Sequence, residues 1–488
     1  MLESRGSLNK IKKTAGQLAN HFRVLLRSKK CRKFIIILFV VQAVVLALSV
    51  KIGLPPDELF HIRFIEYFAT HGFDPFIGNQ KDSFSLGELS RTPEYLYQYL
   101  MSLIYRIIPF GVYGTYMTLR FLSIGLSAAS LFLLAKLGDK LKIPVSVTNF
   151  SLLLLSNSAQ FLFLSASVNS DLLVWFMVLA CLIILVSFLH NNSLKTLFFL
   201  AGLVGLGMVT KRTFMPIGAM VAVGAVVKAF TVRELLFKQL KKPDVYLWLS
   251  IGFFVLGFGL FAERVGMNLV QYQQIKPACM DLHTKAECIE NGVERRNLRI
   301  RESNIVDVEN YNLVEYGFGW SYLTVSYLVG TQGWNGGVVA PVALNVAILI
   351  LSIAGLAASV IEIRARSKDM LKFVRLAIYF GSLVFIVYNF WFNYQVYQRS
   401  NIPGLALQGR YILPTASVFL LISCYYVYKH IITKSNLRIT SAIVLLAFML
   451  YGSGLFLVLS DNFYTDNVFK PRIIFDRSDL ISEHEPSI

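Results

Sequence analysis

Two acids and a histidine lie close together in the stretch GLPPDELFHIRFIEY, which follows the first long apolar run of the chain. If the two prolines open a helix, Asp57 and His61 are four positions apart and share one helix face. A carboxylate beside a histidine can act as a general base or bind a divalent cation. The alternative is helix capping, because Asp57 and Glu58 in a first turn would satisfy free N–H groups and suit the helix dipole.

A further acid lies in the stretch LSASVNSDLLVWF, where Asn169 and Asp171 occupy a short turn between two apolar runs. The alternation of spans described below places this turn on the same membrane face as Asp57. A helix cap is again the alternative. The turn therefore predicts either a second acid of a site or a structural cap.

Cations are predicted at the same membrane level by two other stretches. GMVTKRTFMPIG carries Lys211 and Arg212 between two apolar runs, and LALQGRYILPTAS carries Arg410 and Tyr411 at the start of another. Basic groups on the outer side oppose the usual bias towards the cytoplasm. A phosphate would account for them, since Arg binds two oxygens and Lys acts as a point charge. The alternative for each is snorkelling at a helix end.

The composition predicts an all-α integral membrane protein that crosses the bilayer many times. Of 488 residues, 55% are hydrophobic and 16% are charged, and the mean hydropathy is +0.57. A span needs about 20 apolar residues. The net charge of +18 is explained by basic cytoplasmic segments that attract anionic lipid heads, so we expect membrane lipids and no nucleic acid as partners.

About eleven transmembrane helices are predicted from the apolar runs. A basic cytoplasmic arm, 1–33, precedes the transmembrane domain, 34–460, and an external tail, 461–488, follows it. Two long external loops are expected at about 55–117 and 264–337, the first with interfacial helices. The predicted spans are 34–54, 118–137, 146–165, 170–189, 195–209, 214–230, 246–263, 338–360, 376–392, 411–428 and 438–459.

The second external loop holds Cys279 and Cys288 in ACMDLHTKAEC, a spacing that allows a disulfide on an oxidising face. Two free thiols, or a metal site with His283, are the alternatives. Later in this loop, an aromatic and glycine-rich stretch predicts an interfacial or re-entrant segment, with Trp320 and Trp334 in the aromatic belt.

Four of these stretches together resemble known membrane enzymes. PPDELFHIRFIEY is similar to the Asp-Glu signature in the first external loop of GT-C glycosyltransferases, although Pro55 stands where the eukaryotic mannosyltransferases have His. SVNSDLLVWF, GLGMVTKRTFMPIG and LQGRYILPTASVFLL resemble segments of a bacterial membrane family, domain of unknown function 2142. The resemblance covers about residues 35–430 and implies a GT-C-like fold.

The resemblance also implies an activity. Such enzymes transfer a sugar, with inversion, from a polyprenyl-phosphate-linked donor to a glycan, lipid or protein acceptor on the outer face of the bacterial plasma membrane. By resemblance, Asp57 is the base, Glu58 or His61 orients it, Lys211 and Arg410 hold the lipid phosphate, and Asp171 lies near the acceptor or a metal. No cofactor is certain, and dependence on a divalent metal, Mg²⁺ or Mn²⁺, stays open.

Two other classes of function compete with this one. A transporter or flippase of a lipid-linked saccharide would bind near the bilayer midplane, often between repeated halves. A scaffold that binds a partner through its external loops would not need Asp57. The clustering of charges at the outer surface favours the enzyme.

Overall fold

The computed structural model describes residues 24–53, 55, 57–72, 91–108, 110–290, 311–330, 342–366, 369–400, 407–432 and 434–452. Regular structure within these ranges is entirely helical, which confirms the predicted fold class. The predicted arm up to residue 23, the tail 461–488 and parts of both long loops, including Trp334, lie outside the described residues.

The α-helices are numbered here in chain order. They are α1 (Lys29–Ser49), α2 (Glu58–His71), α3 (Leu96–Ile107), α4 (Gly111–Lys140), α5 (Val145–Ser156), α6 (Ala159–Ser165), α7 (Asp171–Asn191), α8 (Leu194–Met208), α9 (Met215–Thr231), α10 (Arg233–Leu240), α11 (Val245–Phe261), α12 (Met267–Tyr272), α13 (Cys279–Leu282), α14 (Lys285–Glu290), α15 (Leu313–Val329), α16 (Val342–Arg364), α17 (Met370–Ser400), α18 (Leu413–Tyr426) and α19 (Ser435–Gly452).

Eight of the described helices are long and apolar enough to cross a membrane, and a ninth span is counted if the bent pair α5 and α6 crosses as one. These nine match nine of the eleven predicted spans. The other two, 195–209 and 438–459, correspond to shorter apolar helices. Helix α8 has 15 residues, fewer than the roughly 20 that a span requires, and the predicted end of the last span lies outside the described residues.

The break between α5 and α6 bends the chain by 71°. Ser158 starts the second helix as its N-cap, because its hydroxyl accepts the N–H of Phe161 at 3.4 Å. The same hydroxyl donates to the carbonyl of Leu328 in α15 at 2.6 Å. A break inside a span is tolerated here because the freed polar groups are buried in protein and hydrogen-bonded.

Helices α7 and α18 form the centre of the bundle and are the most deeply buried of the membrane-capable helices. They pack against each other, and each contacts several further helices. The indole N–H of Trp175 in α7 donates to Ser417 Oγ in α18 at 2.9 Å. Since α7 begins at Asp171 and α18 follows Arg410 directly, this packing brings both residues to one end of the molecule.

The two helices predicted in the first external loop are present as α2 and α3, and they pack against each other. Arg106 in α3 donates to the carbonyls of Phe68 at 2.5 Å and Ala69 at 3.0 Å near the end of α2. In the second loop, the predicted disulfide between Cys279 and Cys288 is confirmed. The three other cysteines, Cys31, Cys181 and Cys424, are free and buried.

One aromatic prediction is wrong. Trp320, expected in an interfacial belt, is buried in helix α15, and its ring lies 5.4 Å from that of Phe390 in α17. A helix that packs against its neighbours buries a residue that composition alone assigns to the membrane surface.

A buried ion pair fixes the exit of α1. Glu58 is fully buried and Arg120 in α4 is 1% exposed, and two hydrogen bonds of 2.6 and 2.8 Å join them. The carboxylate also accepts the N–H groups of Gly53 at 2.8 Å and Val168 at 3.1 Å. Arg120 donates further to the carbonyls of Ala47 and Val50. The pair thus joins α1, α2, α4 and the turn before α7.

Replacing Glu58 by Gln should destabilise the fold. Removing one partner of a buried ion pair leaves the other charge uncompensated, which costs about 3–5 kcal/mol. Denaturant or thermal unfolding of the solubilised protein measures this loss. Glu234→Gln, on the exposed side of α10, is the control and should stay within about 0.5 kcal/mol of the wild type. A loss for Glu58→Gln no larger than the control's would show that the ion pair does not anchor the fold.

Candidate functional site

Four charged side chains from four separate segments meet at the end of the bundle where α7 begins. We call Asp57, Asp171, Lys211 and Arg410 the charge quartet. Lys211 Nζ lies 2.6 Å from Asp171 Oδ1, and Arg410 Nε lies 3.6 Å from Asp171 Oδ2. Arg410 Nη2 donates to Asp57 Oδ2. The order of contacts is therefore Lys211, Asp171, Arg410, Asp57, with cations and acids alternating.

Asp57 does not cap helix α2, although it occupies the N-cap position. Its backbone is left-handed, with φ 64° and ψ 3°, and its side chain makes no capping hydrogen bond. Asp is among the residues that tolerate this conformation best. The side chain points instead to Arg410 and is 41% exposed. Of the two sequence interpretations, the geometry contradicts the cap.

The carboxyl of Asp57 is ionised in this arrangement. Burial opposes the charge, but the positive charges of Arg410 and Lys211 outweigh burial and lower the pKa of Asp57 below its usual value. A carboxylate with a lowered pKa is a weak proton acceptor while its cation partner stays in place.

His61 lies one turn after Asp57 in α2 and is buried. The amide Nε2 of Gln98 in α3 lies 3.0 Å from His61 Nδ1, and donation to Nδ1 leaves the ring proton on Nε2. Burial, with the positive charge of Lys211 as a smaller cause, lowers the pKa of His61 from 6.5 to about 4. The imidazole is therefore neutral at physiological pH.

Asn169 and Asp171 have different roles: Asn169 stabilises the turn, and Asp171 contacts the cations. Asn169 Oδ1 accepts the backbone N–H of Asp171 at 2.9 Å, so the amide side chain holds the turn at the start of α7. No side chain caps this helix from Ser170. The carboxylate of Asp171, 3% exposed, contacts Lys211 and Arg410.

Lys211 and Arg212 point in different directions although they are adjacent. Lys211 is extended, and a 3-10 turn begins at Arg212. The Lys211 side chain joins the charge quartet, where Asp171 overcomes the effect of burial and raises the lysine pKa. Arg212 is 56% exposed and donates from Nε to Glu94 at 2.7 Å. Only Lys211 of the predicted pair therefore reaches the acids of the quartet.

The segment from Thr92 to Leu96, at the start of α3, holds the turn that carries Lys211. The backbone N–H groups of Tyr95 and Leu96 both donate to the carbonyl of Val209. The buried Arg264 contacts the same segment: it donates to the carbonyl of Thr92 at 3.1 Å, and its guanidinium carbon lies 4.7 Å from the ring centroid of Tyr95. The long first loop is thus fixed to the end of α11.

An aromatic ring borders the charge quartet, and the residues that follow it in the chain line an apolar cavity. The ring centroid of Tyr411 is 5.3 Å from Lys211 Nζ and 5.5 Å from the guanidinium carbon of Arg410. The lining of a mostly apolar cavity of about 280 Å³ includes Ile412 and Leu413, which follow these residues in the chain. Its walls come from α5, α15, α16, α17 and α18.

Two carboxylates, Asp57 and Asp171, are the quartet members that could bind Mg²⁺ or Mn²⁺. Each is already paired with a cationic side chain. Within the described ranges, no group of three or more His, Cys, Asp or Glu side chains is arranged to hold a metal ion.

Sequence reasoning missed several residues that support the site. Gln98 and Arg120 are polar positions inside apolar helices, a pattern that indicates burial with a partner. The sequence does not show which partner each one meets. Glu94 is a third such supporting residue, and its carboxylate accepts from Arg212 Nε at 2.7 Å.

No family model matches the chain, so the resemblance to domain of unknown function 2142 gains no support. No curated protein matches either. Two similar solved structures are of the Archaeoglobus fulgidus oligosaccharyltransferase, one in the apo form and one tethered with an acceptor peptide containing the NVT sequon via a disulfide bond.

The similarity to that enzyme is distant. Identity is 13% for the apo form and 12% for the tethered form, and the TM-score is 0.44 for both. Each covers 88% of this chain, whereas this chain spans 56% and 55% of the length of theirs. At these values the similarity does not decide the function, which depends on the site itself.

The buried His61 predicts a loss of stability in acid. An unfolded chain binds the histidine proton below pH 6.5, whereas the folded protein binds it only near pH 4, so lowering the pH through this window favours unfolding. The contribution is up to about 3 kcal/mol. Unfolding of wild type and His61→Gln should be compared from pH 7 to pH 4. The wild type should lose more stability than the variant, and equal losses would contradict a neutral buried imidazole.

Proposed function

We propose that this chain is an inverting glycosyltransferase of the GT-C type, which transfers a sugar from a polyprenyl-phosphate-linked donor to an acceptor. The observation that carries the proposal is the charge quartet, in which the partly exposed carboxylate of Asp57 contacts Arg410, and Asp171 links Arg410 to Lys211. An inverting transfer needs these two functions side by side, a base for the acceptor and positive charge for the departing phosphate.

The donor's phosphate binds Lys211 and Arg410 in this proposal. Arg410 offers a planar fork to two phosphate oxygens, and Lys211 supplies a point charge. The ring of Tyr411 lies beside both, and Arg212 at the rim adds positive charge. The apolar cavity lined by Ile412 and Leu413, which follow Arg410 and Tyr411 in the chain, supports a lipid-linked donor, since it offers an apolar surface to a hydrocarbon chain.

The transfer step is a single displacement at the anomeric carbon. Asp57 takes the proton of the acceptor hydroxyl as its oxygen bonds to the anomeric carbon on the face opposite the phosphate. The bond from that carbon to the phosphate oxygen breaks, and the electron pair leaves with the prenyl phosphate. Lys211 and Arg410 stabilise the negative charge that develops on the leaving group.

The remaining site residues position these groups. Glu58, bound to Arg120, fixes the backbone that carries Asp57. The neutral His61 orients the acceptor or Asp57 from one helix turn away. Asp171 holds Lys211 and Arg410 in place, and Asn169 fixes the turn of Asp171. If Mg²⁺ or Mn²⁺ takes part, Asp57 and Asp171 would hold it, and the ion would neutralise phosphate charge.

The location of the reaction follows from the predicted topology. The quartet lies on the turns that the charge pattern assigns to the outer face of a bacterial plasma membrane, with the N-terminus inside and the C-terminus outside. A glycan, lipid or protein of the cell envelope is then the acceptor. The loops at this end of the bundle would recognise it.

Asp57→Asn should abolish most of the transfer activity. An amide cannot accept the proton, and loss of a general base lowers the rate by about 10²–10⁴-fold. The measurement is sugar transfer from polyprenyl-phosphate-linked donors in proteoliposomes at equal protein abundance. Donor binding should persist.

Glu66→Gln is the matched control, because Glu66 also lies in α2 but binds Tyr105 and Tyr116 instead of the quartet. Its rate should stay within about threefold of wild type, or under 1 kcal/mol. Full activity of Asp57→Asn would remove Asp57 as the base. If the wild type transfers no sugar from the plausible donors but moves the lipid-linked saccharide across the bilayer, the protein is a flippase.

A further inference from the structure

Two anionic partners compete for Arg410. The proposed function gives its guanidinium to the donor phosphate, but the same group is bound to Asp57. Arg410 is only 2% exposed, whereas the Asp57 side chain is 41% exposed. The carboxylate therefore lies between the guanidinium and solvent. A phosphate that reaches Arg410 must take the place of one of its carboxylate partners.

Asp57 is the partner that can leave. Asp171 is almost fully buried and also binds Lys211, so its displacement would leave a buried charge unpaired at high cost. Asp57 can return to water by rotation of its own side chain. Its backbone stays in place meanwhile, because the neighbouring Glu58 is held by Arg120 and by the N–H of Gly53.

The charge balance points to the same exchange. The quartet contains two cations and two carboxylates, so it is formally neutral before the donor arrives. A phosphodiester adds one negative charge to this poorly solvated group. Releasing the Asp57 carboxylate towards water restores the balance around Arg410, whereas keeping it there would oppose two anions across a single guanidinium.

We propose that the donor phosphate displaces Asp57 from Arg410, so that the carboxylate becomes free to act on an acceptor only after the donor has bound. This inference rests on the proposed function and adds an order to it, donor before acceptor. Arg410 is then the residue that couples the two substrates. Without donor it keeps Asp57 paired, and with donor it holds the leaving group.

The exchange predicts that Asp57→Asn binds the donor's prenyl phosphate more tightly than the wild type. A neutral amide competes far less well for the guanidinium than a carboxylate does, so the phosphate no longer has to displace an ion pair. We expect affinity for farnesyl phosphate, a sugarless probe, to rise about tenfold. Calorimetry or a fluorescence titration on the full-length solubilised protein measures the change. Asn also tolerates the left-handed backbone at this position.

Two controls separate exchange from general electrostatics. Glu66→Gln removes the same charge from the same helix without touching Arg410, and should change affinity by less than about twofold. In an Arg410→Gln background, which binds the probe more weakly, adding Asp57→Asn should give no tightening. Asp57→Ser repeats the test with a different neutral side chain, so that poor folding of one variant does not leave the question open.

Each outcome decides a separate point. Unchanged or weaker probe binding by Asp57→Asn and Asp57→Ser overturns the exchange, and so does equal tightening by Glu66→Gln. If these Asp57 variants bind the probe normally but transfer no sugar, Asp57 stays the base and the exchange fails. If they bind more tightly and still transfer sugar, the exchange holds and the proposed base is wrong.

Discussion

The buried pair of Glu58 and Arg120 is the constraint on which the site depends. Two unsolvated charges must satisfy each other and their neighbours, and here they do so through backbone groups of α1, the start of α2 and the turn before α7. Because Val168 and Gly53 are bound to the same carboxylate, the two chain segments that carry Asp57 and Asp171 are tied to one point. The pair therefore links the segments that carry the two acids of the quartet.

The sequence predicted which segments form the site better than it predicted the role of each residue. Asp57, Asp171, Lys211 and Arg410 were all expected from charged residues at helix ends. Neighbours of the same charge could not be separated, because backbone conformation decides their directions. The backbone is left-handed at Asp57, and the Glu58 side chain that follows is buried in the core. A 3-10 turn begins at Arg212, and the Arg212 side chain points away from that of Lys211.

Contacts between distant segments account for what the sequence did not show. Gln98 and His61 are 37 positions apart, and Glu58 and Arg120 are 62 apart, so no local pattern links them. The same limit applies to the fold. Apolar runs predicted the α-helical class and nine spans, with the bent pair counted as one, but run length did not reveal the 71° bend after Ser156 or the shortness of α8. Trp320 likewise became a core residue only through the packing of α15.

The two acids of the quartet show how burial divides one residue type into two functions. Asp171 is 3% exposed and contacts both cations, so it can hold Lys211 and Arg410 in place. Among the described residues, Asp57 forms an ion pair with Arg410 alone, and its side chain is 41% exposed, so it can part from Arg410 at moderate cost. A site with two enclosed acids would exclude a phosphate, and a site with two exposed acids would not hold its cations in place. In the proposed exchange, the combination of one fixed and one releasable carboxylate allows an anion to enter a neutral, poorly solvated group of charges, and that entry frees the proposed base.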